Sequence, residues 1–415
     1  MRILLVNYRY FISGGPERYM FNIKHVLEKN GHEVIPFSNL SSKNVETPYS
    51  HYFVEPIGSS EAVYYEEYKK TPKVLWKMLS RSIYSFEVEK AIRKEIRDVK
   101  PDLVYIIHFV NKLSPSVIRG AKKEGLPVVL RLSDYFLLCP RFDFLYRKKI
   151  CEDCLTKGYR TCIKRRCVKN SLSASVIRVA AMKIHKLIKV YKDIDAFVAP
   201  SEFLKSKLSS HGFEASKIHC IPTFTKLNPS SAQLPVGSYG LYFGRITEEK
   251  SVMTIIKAYE KLPDHKVKIV GDTSTEEAER LQKYVSRHNL DNIEFTGFKN
   301  SAEIGEIISQ SRFTLISSIC YENLPNAALE SMNYAKPIIA SNIGSLPEVV
   351  ADGITGLLFE PGNASDLCQK IKQLDDDDKV LKMGIAGRNK LENDFSSEKH
   401  YQALIKLFRN VCGKE

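Results

Sequence analysis

The sequence predicts an α/β protein made of two doubly wound domains. Strand-like apolar runs alternate with helical patterns along most of the chain. That alternation breaks once, between residues 222 and 238, into Pro, Ser, Thr and Asn, and then starts afresh. The strands are continuously apolar, which means that both sheet faces are covered. At 415 residues the chain is also too long for one ordinary core.

The elements follow in order. Arg2–Asn7 is an apolar run rich in Ile, Leu and Val, and Ser13-Gly14-Gly15-Pro16 follows it. A helical pattern then runs from about Glu17 to Lys29 and stops at Asn30-Gly31. Pro just inside a helix start and Gly just past its end fit the known asymmetry. With Glu33–Phe37 as the next strand, the chain opens with a parallel βαβ unit. Leu103–Ile107, Pro127–Leu132, Ala196–Ala199 and Lys217–Ile221 read as further strands, with helices at Pro115–Lys123 and from Ser201 to about Ser210. Beyond the break, strands are expected at Tyr239–Phe243, Lys266–Val270, Ile293–Phe295, Phe313–Ile316 and Pro337–Ala340. The expected division is a first domain over 1–221, a linker over 222–238, a second domain over 239–395, and a final segment over 396–415. The helix from about Ser397 to Val411 carries an apolar stripe that needs a surface, and it is expected to cross back onto the first domain.

Composition excludes several classes. With 43% hydrophobic and 27% charged residues, the chain is neither disordered nor collagen-like. No apolar run reaches the roughly 18–20 residues of a membrane span. The opening MRILLVNYRYF lacks a charged n-region and cleavage site, so a cytoplasmic location is expected.

The formal charge of +14 is localised. Residues 141–192 carry 15 Lys plus Arg against 3 Asp plus Glu, a net of +12, which leaves +2 for the rest. Such a segment suits an anionic partner: a phospholipid surface or a pyrophosphate-linked substrate, with nucleic acid disfavoured. Five of the nine cysteines fall between residues 139 and 167. Cys151-x2-Cys154 is a tight half-site for zinc, and Cys162 and Cys167 would complete a four-thiolate structural site. Buried reduced thiols are the alternative reading. From Val176 to Lys192 an amphipathic helix is expected, with Ile177, Ala181, Ile184, Ile188 and Tyr191 packed inward and Lys183, Lys186, Lys189 and Lys192 facing an anionic membrane.

The chemistry concentrates after the linker. Phe243-Gly244-Arg245-Ile246-Thr247-Glu248-Glu249-Lys250 ends a strand, crosses a loop and opens a helix. Arg245 can grip a phosphate bidentately and Lys250 adds a point charge. Further on, Glu322-Asn323-Leu324-Pro325 precedes a helix beginning near Asn326, and Glu330 lies one turn inside it. Helix N-termini favour anions, and a carboxylate can accept hydrogen bonds from paired hydroxyls such as those of a ribose. Gly344-Ser345-Leu346-Pro347-Glu348 and Asp352-Gly353-Ile354-Thr355-Gly356-Leu357-Leu358-Phe359 follow.

Taken together, in this order, these segments resemble the retaining glycosyltransferases of family four. The resemblance covers nearly the whole chain and is strongest from Tyr239 to Gly362. It implies the GT-B architecture: two facing Rossmann-like domains with a cleft between them. It also implies transfer of a sugar from a nucleotide-diphosphate donor to a sugar or lipid-linked acceptor, with retention of configuration. The implied roles are specific. Arg245 and Lys250 would bind the donor diphosphate and stabilise its departure, with Gly244 and the Gly14-Gly15 loop approaching the same phosphates. Glu322 and the Asn323-Leu324-Pro325 backbone would hold the sugar, Glu330 the ribose, and Gly271 and Phe298 would lie near the base. No catalytic metal is expected where Arg and Lys supply the charge.

Two positions depart from the family pattern. Ser133 stands where a His commonly precedes Asp, and Thr223 where Asn often follows Pro. Ser133 can donate a hydrogen bond but cannot serve as a cation, while His108 matches another family His and would serve the acceptor side. Leu138-Cys139-Pro140 and the spaced cysteines resemble a subset acting in bacterial surface-polysaccharide assembly, which implies a peripheral position on the inner face of the membrane. The alternatives are a binding protein that kept the fold but lost turnover, and a nucleotide-sugar hydrolase or epimerase.

Overall fold

The computed structural model describes residues 1–59, 61, 68, 71–228 and 235–414. Residues 229–234 of the expected linker, and residue 415 of the final segment, lie outside the described residues.

In the first half, β1 (Arg2–Asn7) feeds α1 (Gly15–Lys29) and β2 (Glu33–Phe37). Next come α2 (Pro72–Ile83), α3 (Phe86–Val99), β3 (Leu103–His108), α4 (Ser116–Lys123) and β4 (Val128–Arg131). The basic, cysteine-rich stretch folds as a hairpin of β5 (Leu145–Tyr146) and β6 (Lys149–Ile150), followed by the short α5 (Asp153–Thr156) and α6 (Arg160–Arg165) and the long α7 (Leu172–Leu187). β7 (Ala196–Ala199), α8 (Glu202–Ser209) and β8 (Ile218–Cys220) complete this half. Its six long-range strands pair in parallel in the order β2-β1-β3-β4-β7-β8.

The second half repeats the plan. Its elements are β9 (Tyr239–Phe243), α9 (Val252–Tyr259), β10 (Lys266–Val270), α10 (Glu276–Arg287), β11 (Ile293–Gly297), α11 (Ser301–Ser309) and β12 (Phe313–Ile316). They continue with α12 (Asn326–Asn333), β13 (Ile338–Ser341), α13 (Leu346–Val349), β14 (Gly356–Phe359), α14 (Ala364–Lys372), α15 (Asp377–Asp394) and α16 (Ser397–Val411). The strands pair in parallel in the order β11-β10-β9-β12-β13-β14. In each sheet the winding reverses at one point, between β1 and β3 and between β9 and β12. Open α/β sheets bind ligands at the carboxyl ends of the strands beside such a reversal.

The final helix leaves the second half and covers the first sheet. Leu404, Ile405, Leu407 and Phe408 are buried with Ile3, Leu5 and Tyr105. His400 bonds through one ring nitrogen to the Tyr19 hydroxyl at 2.9 Å and through the other to the Pro222 carbonyl at 2.7 Å.

Two local expectations change. β14 lies in the stretch read only as a motif, where Gly356 lies so close to the Ile338 backbone that no Cβ would fit. α7 starts and ends earlier than expected and keeps only part of the expected stripe, with Ile188 and Tyr191 beyond its end packed against the core. Ala181 faces inward as anticipated, but Ile177 is 40% exposed, while Arg178 and His185 are buried. Arg178 finds the Phe136 carbonyl and His185 the Ile83 carbonyl, and those bonds let the two polar side chains sit inside beside Val179 and Met182.

Candidate active site

The chemically interesting residues meet where the two winding reversals face each other. Gly14 and Gly15 follow β1, and His108 ends β3. Gly244, Arg245 and Lys250 follow β9, and the Glu322 loop follows β12.

Lys250 and Glu322 form a buried ion pair through Glu322 Oε1, which also accepts from the Ser318 hydroxyl. Burial works against the Glu322 charge, yet Lys250 and Ser318 outweigh it and hold the carboxyl below its usual range. Burial equally opposes the Lys250 ammonium, and Glu322 more than restores it. Both groups are therefore charged at neutral pH. Arg245 stands apart from them: its side chain is 73% exposed and touches Glu249 at 3.3 Å. This guanidinium is available to a ligand arriving in the cleft.

The glycines around these charges have distinct steric reasons. A Cβ on Gly271 would stand 2.4 Å from the Gly244 carbonyl oxygen, so the ends of β9 and β10 can approach only because Gly271 has none. Gly344 has φ +62, and a Cβ there would fall 2.8 Å from the Glu322 nitrogen. Ser345 braces the same loop, accepting from Leu324 N at 2.7 Å and donating to the Glu322 carbonyl at 2.9 Å. The Gly-Ser-Leu-Pro-Glu segment thus shapes the Glu322 loop from behind. Leu324, inside that loop, is held at φ +59, an uncommon conformation for a non-glycine residue. Phe298 is 77% exposed just beyond β11 and offers a free ring face.

Across the cleft the first half supplies partners. Gly15 lies opposite the start of α12, where a Cβ would sit 3.7 Å from Asn326 Nδ2. Arg18, one turn into α1, donates from Nη1 to Glu330 Oε1 at 3.0 Å. Burial pushes the Glu330 carboxyl up, and Arg18 offsets part of that rise. The Tyr135 hydroxyl donates to the Glu322 carbonyl at 3.2 Å, and Asn323 Nδ2 to the Leu132 carbonyl at 3.0 Å. Glu348 reaches the N-terminus of α8 and accepts from Glu202 N at 2.9 Å and Phe203 N at 2.6 Å, a favourable end for a carboxylate.

The structure therefore divides the expected site. Lys250 and Glu322 meet directly, Asn323, Leu324 and Pro325 continue the same loop into the helix that carries Glu330, and Gly15 and Arg18 approach that helix from the other half; Phe298 is brought against none of them. The Asn323 side chain is committed to the opposite half. His108 Nε2 lies 3.1 Å from Asp134 Oδ2, a pairing the spacing does not announce. Ser133 donates to the Ile107 carbonyl at 3.2 Å, which gives its hydroxyl a backbone partner beside His108. Thr223 accepts from Arg131 Nη2 at 2.7 Å, and that buried guanidinium also stacks 3.7 Å over the Tyr19 ring. The roles of Arg18, Asp134, Tyr135, Ser318 and Glu348 were not read from the sequence. Arg18 carried a signal, as a cation one turn after a glycine pair at a helix start, and Asp134 and Glu348 lay in motifs that did not name their partners.

The cysteines assemble in part. The Cys162 thiol bonds to both Cys154 and Cys167, which pushes Cys162 up and pulls Cys167 down to about 7. Cys151 instead accepts from Arg165 Nη1 at 3.1 Å. Among the described residues no group of three or more His, Cys, Asp or Glu side chains has a geometry that could hold a metal ion. No helix among them is long and apolar enough to cross a membrane.

Comparison with known proteins gives two family matches. Residues 13–228 match the model described as Glycosyltransferase Family 4, and residues 237–390 the model described as Glycosyl transferases group 1. An uncharacterized glycosyltransferase of Methanocaldococcus jannaschii is 28% identical over 219 residues, which are 52% of this chain and 60% of the relative. The chain spans about half the length of the curated relatives it matches. Among solved structures, the sucrose-phosphate synthase of Thermosynechococcus elongatus superposes with a TM-score of 0.73 at 17% identity, covering 99% of both chains. Anabaena HepE in complex with UDP-glucose superposes with a TM-score of 0.65 at 15% identity, covering 98% of this chain and 99% of that one. These two likenesses establish the fold as GT-B.

Proposed function

The chain belongs to Glycosyltransferase Family 4, whose model covers just over half of it, and from that premise we propose that it transfers a hexose from a nucleoside-diphosphate donor to a sugar hydroxyl with retention of configuration. The observation that carries this reading is the largely buried Lys250–Glu322 pair, with the exposed Arg245 near enough to act on Glu322, and with Gly15 of the facing half set against Asn326 at the start of the next helix. Breaking the anomeric C–O bond moves negative charge onto the departing diphosphate. Fixed cations in a site shielded from water stabilise that charge best, and no reorganisation is needed at the moment of transfer. Lys250 and Arg245 supply it. Glu322 keeps Lys250 charged and offers its second oxygen to a sugar hydroxyl, while Glu330 takes the ribose hydroxyls and Phe298 lies against the base. His108, oriented by Asp134, serves the acceptor side.

The finer reading is an acceptor carried on a lipid, in cell-surface polysaccharide assembly, with the enzyme at the cytoplasmic face of the membrane. The +12 stretch over residues 141–192 supports it. A structural zinc at Cys151, Cys154, Cys162 and Cys167 belongs to the same proposal. The donors are soft thiols; Cys162 shares hydrogen bonds with Cys154 and Cys167 while Cys151 is engaged by Arg165, so the four would have to close around the ion.

The test is a panel of nucleotide sugars screened for thermal stabilisation, followed by transfer assays with the donors that stabilise. A ligand that binds only the native state raises the apparent melting temperature. Stabilisation by nucleoside diphosphates and their sugars is expected. A protein indifferent to every nucleotide sugar would refute the reading.

A further inference from the structure

Two neighbouring helices of the first half bury charged or polar side chains and leave large apolar ones outside. α2 buries one side chain completely, and it is Arg81, which donates to the Lys112 and Glu55 carbonyls and to Glu87. Leu75 and Trp76 of the same helix are 47% and 72% exposed. α7 buries Arg178 and His185 beside Val179, Ala181 and Met182, and leaves Leu172, Val176 and Leu187 outside at 51%, 43% and 79%. The helices are joined directly: His185 Nε2 donates to the carbonyl of Ile83, the last residue of α2, at 2.8 Å. Burial pulls this His down to about 4, so it makes the bond as a neutral ring.

Scattered exposed apolar residues are ordinary on a soluble protein and need no explanation. Here the pattern is different in kind. Leu172, Val176, Lys183 and Leu187 recur at intervals of four, seven and four residues, which is one face of a helix. Neither helix contains an Asp or Glu, and Lys73, Lys183 and Lys186 are exposed among the apolar side chains. Large apolar residues mixed with lysines and free of acids match an interfacial helix, whose apolar side enters the headgroup boundary while its lysines meet lipid phosphates. Tryptophan in particular favours that boundary.

We infer that the outer face of α2 and α7 docks on an anionic lipid bilayer. Leu75, Trp76, Leu172 and Leu187 enter the interface, and Lys73, Lys183 and Lys186 face the phosphates. The inference deepens the lipid-acceptor reading and rests on it for its purpose, but the docking itself requires no turnover.

The chain holds a single tryptophan, Trp76, so its own fluorescence reports the contact. The experiment titrates the full chain with phosphatidylcholine vesicles, with and without phosphatidylglycerol, at low and high salt. A blue shift is expected with the anionic vesicles at low salt, reversed as salt rises. Leu75→Ser with Leu187→Ser should lose roughly tenfold or more in vesicle affinity, since each buried methylene counts in such binding. Lys183→Glu with Lys186→Glu should abolish the preference for phosphatidylglycerol. Nucleotide-sugar stabilisation, measured on the same variants, should be unchanged. No shift with any vesicle, or undiminished binding by the double serine variant, overturns the inference. So does a stable dimer that Leu75→Ser dissociates, because the face would then belong to a second copy. Loss of nucleotide-sugar stabilisation in the wild type, with the fluorescence shift intact, would instead sink the glycosyltransferase reading and leave the docking surface standing.

Discussion

Arg18 and Glu330 are 312 positions apart in the chain and 3.0 Å apart in the cleft, joining the first helix of one half to the site helix of the other. The carboxylate proposed to receive the ribose is therefore engaged by a cation from the facing wall. A nucleotide bound as proposed would take the place of that bond. Glu330→Gln should weaken nucleoside-diphosphate binding roughly tenfold, since hydrogen bonds to charged groups are worth about 1.5–3 kcal/mol. Arg18→Ala removes the one group that offsets burial at Glu330, so the carboxyl should rise further. Binding that needs ionised Glu330 should then fail at a higher pH than in the wild type, as calorimetry across pH would show.

Lys250 and Arg245 should separate experimentally. Lys250→Ala leaves Glu322 buried without its cation, and breaking such a pair costs about 3–5 kcal/mol of stability. Arg245→Ala removes an exposed group and should leave the melting temperature nearly unchanged. Both should lose turnover, each by about 2.7–4 kcal/mol in transition-state stabilisation. Melting curves run beside transfer kinetics check the contrast, and equal stability losses would contradict it.

The same pair sets a pH dependence. The Glu322 carboxyl in the folded protein lies below its usual range, so its contribution to stability is present above about 4.3, the ordinary Glu value. That contribution is lost as pH falls through the lower folded value. Glu322→Gln should accordingly show a flatter decline of melting temperature in acid than the wild type. Differential scanning calorimetry from neutral pH downward measures it.

Gly271→Ala should displace the Gly244 loop, because its methyl would meet the Gly244 carbonyl at 2.4 Å. The expected result is weaker binding of nucleoside diphosphate at a destabilisation of about 1–3 kcal/mol, the usual cost of overpacking. Ala at Gly15, where the nearest atom is 3.7 Å away, should be tolerated far better in stability. Thermal melts of the two variants with and without nucleotide test this.

Protein purified without added zinc should carry close to one equivalent, and Cys154→Ser should release it. Zinc draws thiols into the thiolate form, so binding should release protons and strengthen as pH rises. Elemental analysis and thiol titration decide the matter. A metal-free protein with all four thiols titratable would overturn the proposal.

The first and last parts of the chain show where a linear reading is sufficient. Arg2–Asn7, Glu33–Phe37, Tyr239–Phe243 and Phe313–Ile316 form strands where continuous apolar runs end at turn residues, and the Ser397–Val411 helix starts at a Ser cap. These are local properties, written in neighbouring residues. The candidates Arg245, Lys250, Glu322 and Glu330 were singled out through the resemblance to a family, which the order of several short segments carried and the spacing of any one of them did not.

The relationships between segments had to wait for the fold. A helical stripe states that one face is buried but not which one, and α7 turned Arg178 inward because the distant Phe136 carbonyl was there to receive it. His108 with Asp134, Ser133 with Ile107, Glu348 with the start of α8, and Arg18 with Glu330 all depend on strand order and on two sheets meeting. The sequence alone determined which residues carry charge and where most of the long parallel strands run, because those depend on local periodicity and turn chemistry. Which of those charges meet was decided only by the tertiary structure, since hydrogen bonds and ion pairs act over a few ångströms in space and are blind to distance along the chain.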